Sequence, residues 1–348
     1  MAGGNRASGW ANPRAKPFVG GRYRLTQLLE LYGAKLGQRR ARRHDGSLLD
    51  FPPVLQLQTR SGCNGECLIC PQRKIRDMFP EASLSDELFR GIVDQCRGER
   101  NLHGVGFVLQ NEPLTDPSLF DKIRYFRERV TSRAMTFIVT NGTLLTPEVV
   151  PLLLNSGLDA IHITCNGFAR EDWEAVNRGK SWELFRANLE HFLGQDLSRI
   201  AVMLSFVRTN LFRPELKKAI RYWRSRGFRC FVHGVNNRGG MVDDYEKFAR
   251  PISREPFPLR TRKILVRKIL GCCPYPFLQM SVLADGRVLI CTHDWSRKKT
   301  IGDLNRRTIR EVWNGPEMRD IRRKHLAGRA EEIPSCENCD VFENVAFG

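Results

Sequence analysis

The residues best suited to chemistry are three cysteines in the run CNGECLICP, which follows a short apolar stretch. Cys63, Cys67 and Cys70 have the spacing C-x3-C-x2-C. Three thiolates this close together can hold three irons of a cubane 4Fe–4S cluster and leave the fourth iron without a protein ligand. Zinc knuckles also use the spacing of Cys67 and Cys70, but they are normally closed by a second close pair or by histidines, and the next histidine is His103. The run therefore favours an iron–sulfur cluster over zinc.

A second group of cysteines lies near the C-terminus. It comprises Cys272, Cys273, Cys291, Cys336 and Cys339. Asp285 and Gly286 separate two apolar runs within this segment, which predicts a β-hairpin. The chain has eleven cysteines, an odd number, and eight of them are clustered. This pattern, without a secretory signal, favours metal ligation in a reducing compartment over disulfides.

Short apolar runs alternate with helical patterns from Val54 to about Val235, which is typical of βα units around a parallel sheet. The six predicted strands are Val54 to Gln58, Val105 to Leu109, Thr136 to Thr140, Ala160 to Thr164, Ala201 to Phe206 and Arg229 to Val235. Helices are predicted after Ser85, over Leu119 to Val130, and from Pro147 to Leu154, where Thr146 can act as the cap. The fold class is therefore α/β.

Polar side chains follow each predicted strand. They are the cysteine loop, then Gln110 to Glu112, Asn141 with Gly142, Asn166 with Gly167, Arg208 with Asn210, and finally His233 with Asn236 to Arg238. Ligands of parallel α/β sheets and barrels bind at the carboxyl ends of the strands. These groups are therefore expected to converge on one rim.

The composition predicts a cytoplasmic protein with four segments. The 348 residues are 41% hydrophobic, and no run approaches the roughly 18 apolar residues of a membrane span. The predicted segments are a basic extension over 1–50, an α/β unit over 51–240, a basic linker over 241–270 and a cysteine-rich unit over 271–348. Residues 25–36 could form one amphipathic helix. The formal net charge is +18, and a basic run extends from Leu259 to Leu270.

CNGECLICP after a strand resembles the radical S-adenosylmethionine (radical SAM) superfamily, and the resemblance extends over most of the chain. It implies a partial (β/α)6 barrel in which a 4Fe–4S cluster held by the three cysteines binds and reductively cleaves S-adenosylmethionine to a 5′-deoxyadenosyl radical. LQNEPL resembles the family's Gly-Gly-Glu motif with both glycines replaced, so Glu112 would accept a hydrogen bond from the methionyl ammonium. The other implied cofactor contacts are Asn141 in TNG, Thr164 and Asn166 in IHITCNGF, and Arg178, which would pair with the cofactor carboxylate.

The C-terminal segment resembles the SPASM and twitch extensions of the same superfamily. The resemblance implies an auxiliary 4Fe–4S cluster held by Cys273, Cys291, Cys336 and Cys339, with a structural zinc as the alternative. Cys272 is left over as a core cysteine, an alternative ligand or a hydrogen donor. Arg238, beyond the sixth strand, is the preferred substrate contact.

The resemblance implies a radical reaction on a small molecule. The spacing of the four C-terminal cysteines is similar to that of twitch-type dehydrogenases of aminocyclitol alcohols, which favours oxidation of a polar, sugar-like or aminocyclitol-like intermediate of natural-product biosynthesis. Epimerisation would instead need a hydrogen donor such as Cys272, Cys230 or Cys165.

Three other hypotheses stay open. A SPASM-type maturase would modify a precursor peptide, and RNA modification is suggested by the charge alone, without a nucleic-acid module. The third hypothesis is a zinc-binding adaptor protein without enzymatic activity. The basic surface suits an acidic flavodoxin or ferredoxin as the reductant, whereas neither a membrane nor a nucleic-acid partner is predicted.

Overall fold

The computed structural model describes residues 35–44, 46, 51–130, 134–211, 213–249, 265 and 268–344. The strands are β1 (Val54–Leu57), β2 (Gly104–Gly106), β3 (Met135–Thr140), β4 (Ala160–Thr164), β5 (Ala201–Arg208), β6 (Arg229–Gly234), β7 (Gln279–Val282), β8 (Arg287–Leu289) and β9 (Thr300–Asp303). Most of the predicted helix over 25–36 and of the basic run 259–270 lies outside the described residues.

Helices follow most of the strands. Residues 35–43 form α1. The others are α2 (Gln72–Met78), α3 (Asp86–Cys96), α4 (Leu119–Arg129), α5 (Val149–Leu154), α6 (Arg170–Val176), α7 (Trp182–Leu193), α8 (Arg213–Ser225), α9 (Tyr245–Phe248), α10 (Ile309–Trp313), α11 (Pro316–Leu326) and α12 (Val341–Asn344).

One sheet of nine strands runs through the described residues in the order β6-β5-β4-β3-β2-β1-β7-β8-β9. Its first six strands are parallel, which confirms all six predicted strands and the α/β class. Since β6 and β9 are the two edges, the sheet is an open, partial barrel. The carboxyl ends of β1 to β6 meet at one rim because parallel strands point the same way.

The core forms where apolar strand residues meet the helices. Leu55, Val105, Ile138, Ile161 and Leu204, one from each of β1 to β5, are all fully buried. Such continuous burial is expected of parallel strands covered by helices.

Of the two predicted helix caps, one forms and the other does not. The Ser85 side chain accepts a hydrogen bond from Leu88 N at 3.2 Å and caps α3. The helix near Thr146 begins two residues later than predicted, at Val149, and no side chain caps it, so the predicted Thr146 cap is wrong: Thr146 contributes its carbonyl, which accepts from the Val149 and Val150 amides. No helix among the described residues is long and apolar enough to cross a membrane.

The predicted hairpin forms at Asp285 and Gly286 and continues the sheet. β7 and β8 pair in antiparallel fashion, and Gly286 has φ +90°, a conformation that glycine adopts readily. β7 also pairs in parallel with β1, with Val54 opposite Gln279. The hairpin therefore continues the sheet formed by the parallel strands. The division of the chain into segments at residues 50, 240 and 270 stays a prediction.

Candidate cluster and cofactor site

The cysteine loop leaves the carboxyl end of β1 and is fastened to the segment after α6. Its backbone donates from Glu66 N to Arg178 O and from Leu68 N to Val176 O, both at 2.9 Å. A tight turn between Cys70 N and Cys67 O, 3.0 Å long, keeps two of the cysteines together. All three residues are partly exposed, so the loop presents its cysteines at the rim of the sheet.

The thiols of this loop lie in a desolvated, mutually repulsive environment. Burial, followed by the charges of Glu112 and Cys67, raises the pKa of Cys63 to about 12. Burial and Cys67 raise the pKa of Cys70 to about 11, against the opposing charge of Arg238. Such thiols ionise readily only when a cation binds them, and metal binding then displaces their protons. The donor set therefore fits a thiolate-ligated iron–sulfur cluster.

Glu112 lies at the rim between β2 and β3 and is 2% exposed. One carboxylate oxygen accepts from Thr140 Oγ1 at 2.7 Å and from Leu114 N at 3.2 Å, and the other accepts from Asn141 N at 2.7 Å. Burial raises the pKa of this carboxyl above its ordinary value, and the hydrogen bonds from Asn141 and Thr140 oppose that shift. A carboxylate offers about four acceptor positions, so Glu112 retains capacity for one more donor such as an ammonium group.

Asn141 contacts the cysteine loop, as the predicted convergence requires. Its amide donates to Asn64 Oδ1 at 2.8 Å and lies 3.9 Å from Cys63 Sγ. Asn64 in turn donates to Thr143 Oγ1 at 2.9 Å. The TNG segment thus holds the first cysteine in place.

Thr164 and Asn166 lie at the end of β4. Asn166 has φ +45° and is buried, and its side-chain oxygen accepts from Val207 N at 3.0 Å. Thr164 Oγ1 accepts from Ser205 Oγ at 3.4 Å. Both side chains therefore fasten β4 to β5, and their predicted cofactor contacts stay a prediction.

A lysine that the sequence analysis did not single out lies against the cysteine loop. Arg178 is exposed, and its carbonyl bonds the cysteine loop. Lys180, two residues further, places Nζ 2.9 Å from Cys67 Sγ and 3.3 Å from Asn177 Oδ1. Sequence reasoning missed Lys180 because a lysine just before a helix carries no distinguishing signal.

The second predicted site comprises Cys273, Cys291, Cys336 and Cys339. Burial raises the pKa of Cys273 and Cys291 well above the ordinary thiol value, and the neighbouring thiols add to both shifts. Cys339 N bonds Cys336 O at 3.1 Å, and Cys336 Sγ lies 3.7 Å from His325 Nε2. The four predicted ligands thus influence one another electrostatically and fit a second thiolate-bound group.

The charge of Arg238 acts on a cysteine of each site. Its guanidinium lowers the pKa of Cys70 on one side and of Cys339 on the other, in both cases against the larger effect of burial. Nη1 lies 3.2 Å from His293 Nδ1, and the guanidinium lies 5.9 Å from the centroid of the Trp295 ring. Its Nε is buried without a hydrogen-bond partner. A polar molecule held between the two sites would meet this side chain.

The remaining predicted cysteines lie in packed surroundings. Gln38 Nε2 is 3.2 Å from Cys272 Sγ, and burial raises the pKa of this thiol to about 11. Cys165 is buried after β4, and Cys230 packs against the main core. These contacts do not indicate a reactive role for any of the three cysteines. Their role as a hydrogen donor stays a prediction.

No three His, Cys, Asp or Glu side chains among the described residues converge closely enough to hold a single metal ion. The cofactor class comes instead from similarity to known proteins. Residues 57–210 match the radical SAM superfamily and residues 272–340 match SPASM, an iron–sulfur cluster-binding domain. The first match contains the cysteine loop, and the second contains the four C-terminal cysteines.

The chain is also similar, at low sequence identity, to individual proteins over most of its length. The S-adenosyl-L-methionine-dependent 2-deoxy-scyllo-inosamine dehydrogenase of Niallia circulans is 20% identical over 287 residues, which cover 82% of this chain and 92% of the relative. Among solved structures, BtrN in complex with AdoMet and 2-DOIA is 19% identical with a TM-score of 0.56, covering 83% of this chain and 92% of its own. Streptococcus suis SuiB bound to precursor peptide SuiA is 13% identical with a TM-score of 0.61, covering 87% of this chain and 72% of its own.

The structural matches confirm the fold, and the two domain matches confirm the family and the cofactors. The chain belongs to the radical SAM superfamily, in its SPASM-type subgroup, and is an enzyme whose cofactors are S-adenosyl-L-methionine, the 4Fe–4S cluster that binds it and an auxiliary 4Fe–4S cluster.

Proposed function

We propose that this enzyme oxidises an alcohol group of a polar, sugar-like or aminocyclitol-like molecule, removing one hydrogen from the carbon and one from the hydroxyl oxygen, two electrons and two protons in all. The observation that carries the proposal is the end-to-end similarity to an aminocyclitol dehydrogenase, which the chain covers over 92% of its length. The four mutually interacting C-terminal cysteines support it, because one auxiliary cluster is a suitable acceptor for the second electron of such an oxidation.

Two sets of residues would hold the iron–sulfur groups. Cys63, Cys67 and Cys70 would ligate the cluster that binds S-adenosylmethionine, and Cys273, Cys291, Cys336 and Cys339 would ligate the auxiliary cluster. When bound, the first cluster and S-adenosylmethionine supply a 5′-deoxyadenosyl radical, which takes a hydrogen atom from the substrate carbon. The protein itself binds, orients and excludes water.

Glu112 and Lys180 would bind the amino-acid part of S-adenosylmethionine. The spare acceptor position of the buried Glu112 carboxylate suits the ammonium group, which would compensate the cost of burying that charge. The Lys180 ammonium lies 2.9 Å from Cys67 Sγ and can pair with both the thiolate and a nearby carboxylate. The pairing of Arg178 with the cofactor carboxylate stays a prediction.

Arg238 and His233 would face the substrate. The Arg238 guanidinium can donate to hydroxyl oxygens of a molecule lying between the two cysteine sites. His233 Nδ1 lies 3.4 Å from Gly234 O, a contact that a proton on Nδ1 would turn into a hydrogen bond and that would leave the lone pair on Nε2. Burial and the charge of Arg238 lower the pKa of His233 to about 4, which keeps the ring neutral at pH 7. Nε2 is therefore the candidate acceptor of the hydroxyl proton.

The test uses anaerobically purified holoenzyme with S-adenosylmethionine, a reductant and a panel of aminocyclitols and amino sugars deuterated at their carbinol carbons. We expect deuterium in 5′-deoxyadenosine and a ketone product two mass units lighter than the unlabelled alcohol. An isomer with the mass of the unlabelled alcohol, formed by loss of the deuterium and gain of one hydrogen, would contradict dehydrogenation in favour of epimerisation. Turnover of a precursor peptide, with none of the alcohols consumed, would support the maturase hypothesis instead.

A further inference from the structure

Gln110 occupies a backbone position that normally suits glycine. It follows β2 in the run LQNEPL, is 7% exposed and has φ +53°. Side chains other than glycine are disfavoured in this left-handed region because Cβ approaches the following carbonyl. A glutamine here needs compensation from what its side chain binds.

The Gln110 amide uses its full hydrogen-bonding capacity on one segment. Nε2 donates to Asp294 O at 2.9 Å and to Thr292 O at 3.3 Å. Oε1 accepts from Arg297 Nε at 3.2 Å and from Arg297 Nη2 at 3.1 Å. A primary amide has two donors and two acceptor positions, so all four are directed at residues 292–297. This segment begins immediately after Cys291, a predicted ligand of the auxiliary cluster.

The backbone of Gln110 connects to the other cysteine site. In the orientation that satisfies both ends of the Gln72 side-chain amide, its nitrogen donates to Gln110 O and its oxygen accepts from Cys63 N, each at 3.2 Å. Gln72 is 3% exposed and lies at the first position of α2. A continuous path of hydrogen bonds therefore extends from Cys63 through two buried glutamines to the segment after Cys291.

Arg297 is also held in place from other directions. It has φ +49°, its amide donates to Asp294 Oδ1 at 3.1 Å, and its guanidinium lies 4.7 Å from the centroid of the Phe79 ring. Burial lowers the pKa of Arg297 to about 10, so the group stays charged at neutral pH. The two hydrogen bonds that its guanidinium donates to Gln110 Oε1 are charge-assisted, and such bonds are stronger than those between neutral groups.

We propose that Gln110 is a positioning residue that sets the separation and orientation of the two cysteine sites. It fixes residues 292–297, and with them Cys291, against the carboxyl end of β2 and the cluster loop. The inference rests on the proposed function in assuming a cluster at each site. It explains why the chain tolerates a non-glycine residue in the left-handed conformation at this position.

The test compares Gln110→Gly with Gln110→Glu and a matched control, Asn111→Gly. Glycine suits φ +53°, so Gln110→Gly removes the side chain without adding backbone strain. Glutamate keeps the acceptors for Arg297 but loses both donors. Asn111 lies at the adjacent motif position, and its amide bonds Arg60 O and Leu109 N, which belong to the β1–β2 region.

Two readouts on the purified holoenzyme are needed. Hydrogen exchange of a peptide covering 291–297 should accelerate at least tenfold in Gln110→Gly, less in Gln110→Glu and not in Asn111→Gly. The magnetic coupling between the two reduced clusters, measured by pulsed electron paramagnetic resonance, should change in the same order. The yield of product per 5′-deoxyadenosine should fall in the variants whose coupling changes, while total iron stays constant.

Wild-type exchange and coupling in Gln110→Gly would overturn the positioning role. Equal changes in Asn111→Gly would also overturn it, because they would show general loosening of the motif. If the wild-type enzyme held one cluster, the proposed function would fail, and hydrogen exchange would still decide whether Gln110 restrains 292–297.

Discussion

At the scale of residues, the two cysteine sets make separable predictions. Replacing Cys63, Cys67 and Cys70 together by alanine removes every thiolate of the cluster loop. We expect no 5′-deoxyadenosine, with iron falling to about four per chain, those of the auxiliary cubane. Iron and sulfide analysis together with chromatography of 5′-deoxyadenosine checks this.

Cys96, a buried thiol of α3, provides the control for the triple replacement. Cys96→Ala should leave the iron content at the wild-type value. Complete loss of iron from the triple variant would contradict two independently held clusters.

Lys180 should matter more than Arg178. Lys180→Met removes the ammonium 2.9 Å from Cys67 Sγ, and a hydrogen bond to a charged group contributes about 1.5–3 kcal/mol. We expect S-adenosylmethionine cleavage to slow by about tenfold or more, with Lys180→Arg retaining part of the rate. Steady-state kinetics in varied S-adenosylmethionine measures the effect. A larger loss in Arg178→Met than in Lys180→Met would refute this ranking.

His162 predicts how stability depends on pH. Burial, then the charges of Arg229 and His233, lower the pKa of this β4 side chain to about 4. The folded state therefore resists protonation, so stability is fully present above the ordinary histidine pKa and falls as pH drops from about 6.5 towards 4.

The loss attributable to His162 should be on the order of 2 kcal/mol, since the side chain is partly exposed. His162→Phe should flatten the pH dependence of the unfolding free energy in that range, and the ring can still stack on Phe137. Urea denaturation between pH 4.5 and 7 measures this slope. His44→Gln, at an exposed histidine, is the control, and an identical slope in His162→Phe and wild type would contradict the prediction.

At the scale of elements, Gly142 links a turn to the cofactor rim. It has φ +79°, and a Cβ there would lie 3.1 Å from Ile163 Cγ2 and 3.2 Å from Phe185 Cε2. Gly142→Ala should therefore lower the unfolding free energy by about 1–2 kcal/mol from backbone strain, with a further loss from crowding. Denaturant titration measures the change.

Gly98 separates these two contributions. It has φ +73° and open space around a built Cβ, so Gly98→Ala isolates the conformational cost. If Gly142→Ala were no more destabilising than Gly98→Ala, packing at the TNG turn would not contribute.

The elements that sequence could predict are those with local signals. Apolar runs marked all six parallel strands, Ser85 marked the start of α3, and Asp285 with Gly286 marked the hairpin, because each depends on neighbouring residues. The convergence of Asn141 and Glu112 at the rim followed from the parallel topology.

Other features depend on contacts between distant segments, which a single sequence does not reveal. The position of Lys180 depends on how the segment after α6 packs against the cysteine loop. The contacts of Gln110 depend on a segment about 180 residues away. The pairing of β7 with β1 likewise has no local signature.

At the scale of the whole molecule, the net charge of +18 predicts how a reductant approaches. An acidic flavodoxin or ferredoxin would be attracted over distances comparable to the Debye length, about 8 Å at physiological ionic strength. We expect the rate of cluster reduction by such a donor to fall as sodium chloride rises from 50 to about 300 mM. Stopped-flow absorbance measures it, with reduction by titanium(III) citrate, a small-molecule reductant that needs no protein docking, as the control. A flat salt response with the protein donor would remove electrostatic steering.

The parallel pairing of β1 with β7 affects any attempt to divide the enzyme. Without residues beyond 270, β1 would become an edge strand whose backbone groups, from Val54 to Leu57, lose their partners on one side. Exposed edges of apolar strands recruit other strands and promote aggregation. A truncated radical SAM unit should therefore be poorly soluble, and the intact chain should unfold in a single cooperative transition that includes both cysteine sites.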